Sequence, residues 1–483
     1  MTIIDHNESR TFHPSLDIKD SIIILGFRRK KEDGKETDIY IVKIKDSVSV
    51  SENTEIVAGD NIKISIEKKK RLLAKLSQKW SADGLNKYIE SFENPQSKQV
   101  TGNAIFNKIK ENLKLYIELE NTADYSILSA WCMGTYFFPS FSAYPYIHIK
   151  APKGSGKSQC LNFIAQIAFN AVKARASLPA LRDTVDALRG TYIMDQADSL
   201  FRNNMEDFLD VLTDSYKRGG GNIRKMIANK NVWTIEEFDA YGPKAFGSIN
   251  QLPEDLRDRC IVVPLIRSKK NHPQIDEENN IWKETRSELY MFLLNNYMYV
   301  SGNYLLKQIE YKKNADVLGR QLELWLPIEA ILSSVFASSE EIETCKERFL
   351  SRYEFASYQA NEIELAVIDT IILLIADKEE MVLRPKEIAE RIDVELFEDD
   401  DKFIFASKKQ KSTMVGRAIS KFNLATNKLP RDNQGERYLF NKMQLKKIHD
   451  GYFSKNEEKD TQTYTDENTA PKQSIFSDIK SVT

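Results

Sequence analysis

The stretch Tyr144–Phe169, "YPYIHIKAPKGSGKSQCLNFIAQIAF", decides the fold. It opens as an apolar strand that ends near Ile149. A loop follows, Ala151 to Ser158, and then a helix with Leu161, Ile164, Ala165 and Ala168 on one face. Strand, glycine-rich loop and helix in that order are the setting of a phosphate-binding loop. Gly154, Ser155 and Gly156 let backbone N–H groups converge on phosphate oxygens, and the helix N-terminus adds partial positive charge. Lys157 would reach the β and γ phosphates of a nucleotide, and Ser158 would ligate Mg²⁺. The first glycine of the usual pattern is Ala151 here, which relaxes the motif. The flanking strand and helix restore its specificity.

A second stretch, Thr191–Leu200 ("TYIMDQADSL"), reads as a buried strand ending in Asp195. It lies 38 residues after Lys157, room for one helix and a returning strand. Asp195 is expected at the carboxyl end of a neighbouring strand, holding Mg²⁺ through water, with Asp198 a spare carboxylate nearby. The residue after such an Asp is normally Glu, the base that activates water. Here it is Gln196, and an amide cannot accept a proton at neutral pH. Loss of a general base costs about 10²–10⁴ in rate. Yet a glutamine can orient a water, as in GTPases.

A third stretch, Phe238–Leu265, contains a strand over Lys244–Ile249 that ends at Asn250. An amide there can hold an attacking water against a γ-phosphate. Arg257 and Arg259 precede the apolar run Cys260–Leu265. An arginine in that position can point across a subunit interface and neutralise transition-state charge. On their own, these two would read as surface arginines in a turn.

The 483 residues suggest two to four domains. The formal charge of −2 gives no global basic signature, so a nucleic-acid signal must be local. No secretion signal is visible at the N-terminus, and no apolar run reaches the roughly 18–20 residues of a membrane span. Cys132, Cys160, Cys260 and Cys345 are far apart and form no metal-ligand pair, which points to a reducing, cytoplasmic compartment.

Residues 1–71 read as a small β domain with a hairpin at Asp33-Gly34. It is either a solvated sheet with a charged turn or, through Arg28, Arg29, Lys30 and Lys31, a DNA-binding or loading module. Residues 72–142 read as a helical linker region. Residues 143–350 alternate strands and helices, then turn helical, as an α/β core with a helical lid. Residues 360–453 read as a winged helix: two helices, then two strands around Gln434-Gly435. Residues 401–450 hold twelve Lys/Arg against four Asp/Glu. Lys408, Lys409, Lys411, Arg417 and Lys421 on the second helix, with Arg431 and Arg437 on the wing, could bind phosphate backbones. The alternative is a protein-interaction lid. Residues 454–483 read as a disordered tail whose "QSIFSDI" is a docking motif or featureless.

"APKGSGKS", "IMDQAD", "FGSIN" and "LPEDLRDRCI" follow one another in the order and spacing of AAA+ ATPases. With "YKRGGGNIRK", they make the chain resemble the minichromosome-maintenance (MCM)-like replication helicases of bacterial mobile elements, such as genomic islands and plasmids. The resemblance covers residues 100–450 and is specific across 144–265. It implies ATP and Mg²⁺ as cofactors, with Lys157 and Ser158 in the Walker A loop and Asp195 in Walker B. It also implies Asn250 as sensor 1, Arg259 as arginine finger ahead of Arg257, and Arg320 of "GRQLELWLP" as sensor 2. A homo-hexamer is implied, because such rings bind nucleotide between subunits. The family grips DNA with a hairpin before sensor 1. Here Ile223–Ile227 and Val232–Phe238 could pair, with Lys225 on a strand and Lys230 at the tip suited to phosphate.

Two functions follow. One is an ATP-driven DNA helicase or replication initiator, slowed by Gln196, with single- and double-stranded DNA as partner. A protein partner would dock through the N-terminal domain or the tail. The other is an ATP-bound switch that marks or opens an origin with little turnover. A protein remodeller is weakened by the basic C-terminal domain and by the lack of an aromatic-glycine pore motif.

Overall fold

Among the described residues, seven strands come first in the computed structural model: β1 (Arg10–Phe12), β2 (Leu16–Lys19), β3 (Ile22–Lys30), β4 (Glu36–Ile44), β5 (Ser47–Ser51), β6 (Glu55–Ala58) and β7 (Ile62–Ile66). They form an antiparallel sheet, β2-β3-β4-β5, and a smaller one, β1-β7-β6. The expected hairpin joins β3 to β4: Gly34 adopts φ +82°, and Asp33 accepts from the Lys35 N–H at 3.0 Å. Ile22 through Leu25 are all fully buried. Ile22 and Ile24 pack with Phe12, Tyr40 and Ile64, while Ile23 and Leu25 face the main core beside Trp80 and Tyr88. Each such side chain contributes about 1.5–3 kcal/mol by leaving water. Sheet and core are also bonded directly. The Ser15 hydroxyl donates to the Leu188 carbonyl and the Tyr297 hydroxyl to that of Ser21, both at 2.7 Å.

The structure describes residues 10–30, 33–58, 62–67, 79–93, 101–119, 121–152, 154–175, 177–201, 205–229, 232–265, 268, 270–313, 319–357, 362–375, 378–392, 408–421, 424–433 and 435–445. These fall into two units, Met1–Ala356 and Ser357–Thr483. The expected tail, residues 454–483, and Lys230 lie outside the described residues.

Helices α1 (Ala82–Glu93), α2 (Gly102–Tyr116) and α3 (Thr122–Gly134) follow the strands. The Thr101 and Asn121 side chains cap α2 and α3 by accepting from the N–H groups of Ala104 and Ala123. The α/β part then runs β8 (Tyr146–Lys150), α4 (Lys157–Ile167), β9 (Val172–Lys173), α5 (Leu178–Val185), β10 (Tyr192–Asp195) and α6 (Glu206–Asp214). A hairpin of β11 (Asn222–Asn229) and β12 (Val232–Asp239) comes next, then β13 (Lys244–Ser248), α7 (Glu254–Arg257) and β14 (Cys260–Pro264). Five of these strands make a parallel sheet in the order β14-β8-β13-β10-β9.

This order corrects one expectation. Asp195 does not end a strand next to β8, the strand before the glycine-rich loop, because β13 lies between β8 and β10. β13 is buried along its whole length. It can pack there because Gly247 carries no side chain: a Cβ would come within 2.7 Å of a Leu161 methyl and 3.2 Å of the Lys157 stem. From β8 the chain first fills the far edge, returns through β13, and then crosses to β14 on the other side. The carboxyl end of β8 is therefore a point where strand order reverses, the usual place for a ligand crevice in such sheets. Helices α8 (Asn280–Lys313), α9 (Gly319–Ser334) and α10 (Ser339–Ser357) complete the run.

The second unit contains α11 (Glu362–Ile375), β15 (Glu380–Leu383), α12 (Pro385–Ala389), α13 (Lys408–Lys421), β16 (Asn427–Asp432) and β17 (Gly435–Asn441). Its antiparallel sheet has the order β15-β17-β16. Val367, Ile371, Leu383, Val415, Ile419 and Phe440 form its core. The sequence pattern gave α12, α13 and the last two strands; α11 and β15 come from the structure. No helix among the described residues is long and apolar enough to cross a membrane.

Candidate nucleotide site

The loop between β8 and α4 turns on two glycines in the left-handed region, Gly154 at φ +78° and Gly156 at φ +82°. Among the described residues, no heavy atom outside the neighbouring residues lies within 4 Å of a Cβ built at either position. Glycine is therefore required by backbone conformation rather than by space. Gly156 is the N-cap of α4, and the helix begins at Lys157. The N-terminus of α4 thus opens into a cleft of 670 Å³ lined by Gly154 to Gln159, Asp195, Gln196 and Asp198.

Ser158 and Asp195 meet there. The Ser158 hydroxyl donates to Asp195 Oδ2 at 2.8 Å, although 37 residues separate them. A hydroxyl and a carboxylate in contact at a helix N-terminus suit a hydrated Mg²⁺ carrying phosphate oxygens, since this ion keeps several waters and takes few protein ligands. Among the described residues, no group of three or more His, Cys, Asp or Glu gathers as a metal cage. Asp195 Oδ1 also accepts from the Gln196 N–H at 3.0 Å. Gln196 is exposed and adopts φ +64°, an uncommon conformation for a residue with a side chain.

Asp198 is more than a spare carboxylate. Its Oδ1 accepts from the Asn250 main-chain N–H at 2.9 Å and from the Asn250 side-chain amide at 3.0 Å, and its Oδ2 accepts from the Ile249 N–H at 3.0 Å. Burial alone would raise its pKa. The hydrogen bonds from Asn250 and Ile249, with Lys157 nearby, hold it below the usual carboxylate range instead. Asn250 itself is exposed and does not line the cleft. It touches the cleft wall through Asp198.

Behind this wall, His148 Nε2 lies 2.6 Å from the Ser248 hydroxyl, which is 2.5 Å from the Asn250 carbonyl. The Ser248 proton is committed to that carbonyl, so Nε2 must be the protonated nitrogen of His148. Its Nδ1 has no hydrogen-bond partner among the described residues. Burial, with Lys150 and Arg257 nearby, pushes the imidazole pKa down to about 3, so the ring is neutral.

The opposite wall was not legible in the sequence. It comes from Tyr116 at the end of α2, Glu118 just after it, and Ser268, Lys270 and His272 after β14. Glu118 accepts from Ser268 and lies 3.2 Å from the Lys270 ammonium, contacts that hold its carboxyl below the usual range. Gln159 bridges the two sides by donating to the Tyr116 carbonyl at 2.9 Å and the Pro273 carbonyl at 3.0 Å.

Arg259 and Arg320 are not in this cleft. Arg259 is buried and donates to the carbonyls of Thr213 and Asp255. Arg320, at the start of α9, pairs with Asp258. Both guanidinium groups lie over the Tyr216 ring. Arg257, at the end of α7, donates to Gln251.

The hairpin ladder runs from Asn222↔Asp239 to Asn229↔Val232, closer to its tip than the sequence pattern suggests. Lys225 is on β11, and its side chain lies outside the described residues, as do those of Lys408, Lys409 and Lys421 on α13. At the hairpin root, the buried Lys244 ammonium donates to the carbonyls of Ala240 (2.8 Å) and Gly242 (3.1 Å), and burial pushes its pKa down to about 7.

In the second unit, a groove of 1040 Å³ runs between α13 and the β16–β17 hairpin. Arg384, Lys386, Arg417, Lys428 and Arg431 line it, against Glu436. Arg384 is paired with Asp432 at 2.6 Å and Lys428 with Glu436 at 2.7 Å. Arg417 and Arg431 are exposed. Lys411 is half-buried and outside the groove, and Arg437 lies beside Asp432 at 3.5 Å.

No protein-family model matches the chain, and no curated protein matches it. Solved structures similar to it include a full-length MCM homolog from Methanopyrus kandleri, 10% identical over 68% of this chain and 76% of that one, with a TM-score of 0.32. The apo A form of the NrS-1 C-terminal region is 12% identical over 83% of this chain and 94% of that one, with a TM-score of 0.31. Drosophila ORC bound to DNA is 11% identical over 76% of this chain and 99% of that one, with a TM-score of 0.20.

Proposed function

We propose that this chain is an MCM-like AAA+ protein that binds ATP and Mg²⁺ and acts on DNA as a replication helicase or initiator, of the kind found in mobile elements. The observation that carries this reading is the Ser158–Asp195 contact at the mouth of a two-glycine loop, at the reversal point of a parallel sheet. Backbone N–H groups of Gly154 to Ser158 and the Lys157 ammonium would hold the phosphates. Ser158 and Asp195 would hold Mg²⁺, which when bound neutralises phosphate charge.

The chain would work as a homo-hexamer. Arg259 and Arg320 converge on one ring away from the chain's own cleft, which suits a neighbour's nucleotide. For Arg259 to serve as the finger, it must exchange its two carbonyl partners for phosphate. The β11–β12 hairpin, with Lys225 and Lys230, would touch single-stranded DNA in the channel. The second unit would be a winged helix. Its groove, with Arg417 and Arg431, would take a duplex backbone, flanked by Lys408, Lys409, Lys411, Lys421 and Arg437.

Gln196 favours a second reading, a DNA-bound switch with little turnover, because it offers no basic group where Glu is usual. Both readings predict ATP binding. The test is ATP affinity together with steady-state ATPase and unwinding, for the natural chain and Gln196→Glu, with and without DNA. Slow turnover that rises in the variant supports a slowed motor. Failure of the natural chain to bind ATP–Mg²⁺ overturns the proposal.

A further inference from the structure

We propose that Asp198 supplies the carboxylate that Gln196 lacks, and that a buried relay of Asn250, Ser248 and His148 holds it in place. This inference rests on the nucleotide reading above.

Asp198 lines the same cleft as Lys157, Ser158 and Gln196. A carboxylate offers about four lone-pair sites. Among the described residues three are filled, two on Oδ1 and one on Oδ2, all by N–H groups of residues 249 and 250. One site on Oδ2 is left to accept from a water. The same three bonds keep the carboxyl ionised, so it is an acceptor and a poor base. That is enough for phosphoryl transfer, where the attacking water needs orientation more than early deprotonation.

The relay explains why Asp198 stays in position. Asn250 reaches it with two N–H groups and is itself fixed by the Ser248 hydroxyl on its carbonyl. Ser248 is fully buried at the end of β13 and is oriented by His148 of β8. Its main-chain carbonyl accepts from the Ala151 N–H at 3.2 Å, so the same residue tethers the start of the phosphate loop. Asp198 is thus the catalytic group, while Asn250, Ser248 and His148 are positioning residues.

The test measures ATP affinity and single-turnover hydrolysis in the full chain. Asp198→Asn should keep affinity within about threefold and lose about a hundredfold in rate, the scale of a misplaced reacting group. Gln196→Ala should lose less than about threefold. Ser248→Ala should lose about tenfold in rate at unchanged affinity, with Ser248→Thr, which keeps the hydroxyl, recovering most of it. Ser248→Ala should cost nothing further in an Asp198→Asn background, because residues acting as one unit are not additive. Melting temperatures report whether each variant folds. If Ser248→Ala does not fold, the Asp198→Asn and Gln196→Ala pair decides.

Three results would overturn the inference: wild-type rates in Asp198→Asn, equal losses in Asp198→Asn and Gln196→Ala, or ATP binding with no hydrolysis at all in the natural chain. Each leaves the nucleotide site standing. Absence of ATP binding would instead remove the nucleotide reading.

Discussion

Arg259 and Arg320 place their guanidinium carbons 5.3 and 5.5 Å from the centre of one ring, that of Tyr216. Sixty-one positions separate the two arginines in sequence, and one precedes β14 while the other opens α9. The ring face attracts both cations, at about 0.5–2 kcal/mol each. The Tyr216 hydroxyl is anchored in turn on Glu323 at 2.9 Å. If these arginines serve a neighbouring subunit's nucleotide, Tyr216→Leu should lower DNA-stimulated ATPase about tenfold and leave ATP affinity unchanged. Turnover measured across a protein concentration series checks this. A parallel loss of ATP affinity would place Tyr216 in general folding instead.

Gln196→Glu places a basic group beside Asp195; because Asp198 already orients the water, turnover should rise by about tenfold, less than the roughly 10² or more expected where no other carboxylate serves. ATP affinity should change little, because the Ser158–Asp195 contact is untouched. Multiple-turnover phosphate release compares the two chains, and equal rates would remove Gln196 as the brake.

Lys157→Ala should abolish nucleotide-dependent stabilisation. A ligand at a hundred times its Kd adds about 2.7 kcal/mol to folding stability. The natural chain should therefore show a clear rise in melting temperature with ATP–Mg²⁺, and the variant none. Gly247→Ala should weaken the same shift, since its methyl would meet the Lys157 stem at 3.2 Å.

Lys244 makes stability depend on pH. Its folded pKa, about 7, lies below the unfolded value of about 10.4. Between these values the unfolded chain binds the extra proton, so stability is full above about 10.4 and falls as pH drops toward 7. Lys244→Met removes that dependence. The natural chain should gain on the variant by a few kcal/mol between pH 7 and pH 10. Urea unfolding at three pH values reads this, and curves that stay parallel would show that Lys244 titrates normally.

Arg417→Ala and Arg431→Ala should each weaken duplex binding about equally for all sequences and lower the salt slope by about one. Lys230→Ala should weaken single-strand binding or unwinding with ATP affinity unchanged. Fluorescence anisotropy across a salt series separates the two surfaces. An unchanged slope in the arginine variants would point to the protein-interaction lid.

The loop and both flanking elements were legible because their causes are local. An apolar run, two glycines with positive φ and an amphipathic helix occupy consecutive residues. The Asp33-Gly34 hairpin and the β16–β17 pair were read on the same grounds. Asp195 was found by its strand, but its assigned neighbour was wrong. Nothing in the run "TYIMD" says that a strand some fifty residues later will insert beside it. β15 escaped notice because four residues, Glu380–Leu383, carry too little periodicity until β17 pairs with them. The far wall of the cleft was hidden because Glu118 and Lys270 are ordinary surface residues until folding brings them together.

The sequence by itself therefore determined the two-glycine turn and the helix N-terminus that follows it, since backbone conformation and helix polarity are properties of adjacent residues. Only the tertiary structure decided that Asp198 is tied to Asn250, that His148 and Ser248 stand behind it, and that two distant arginines share one aromatic ring. Those relations depend on strand order and on burial of both faces of β13. The packing of the whole core sets these, and no short stretch of chain encodes them.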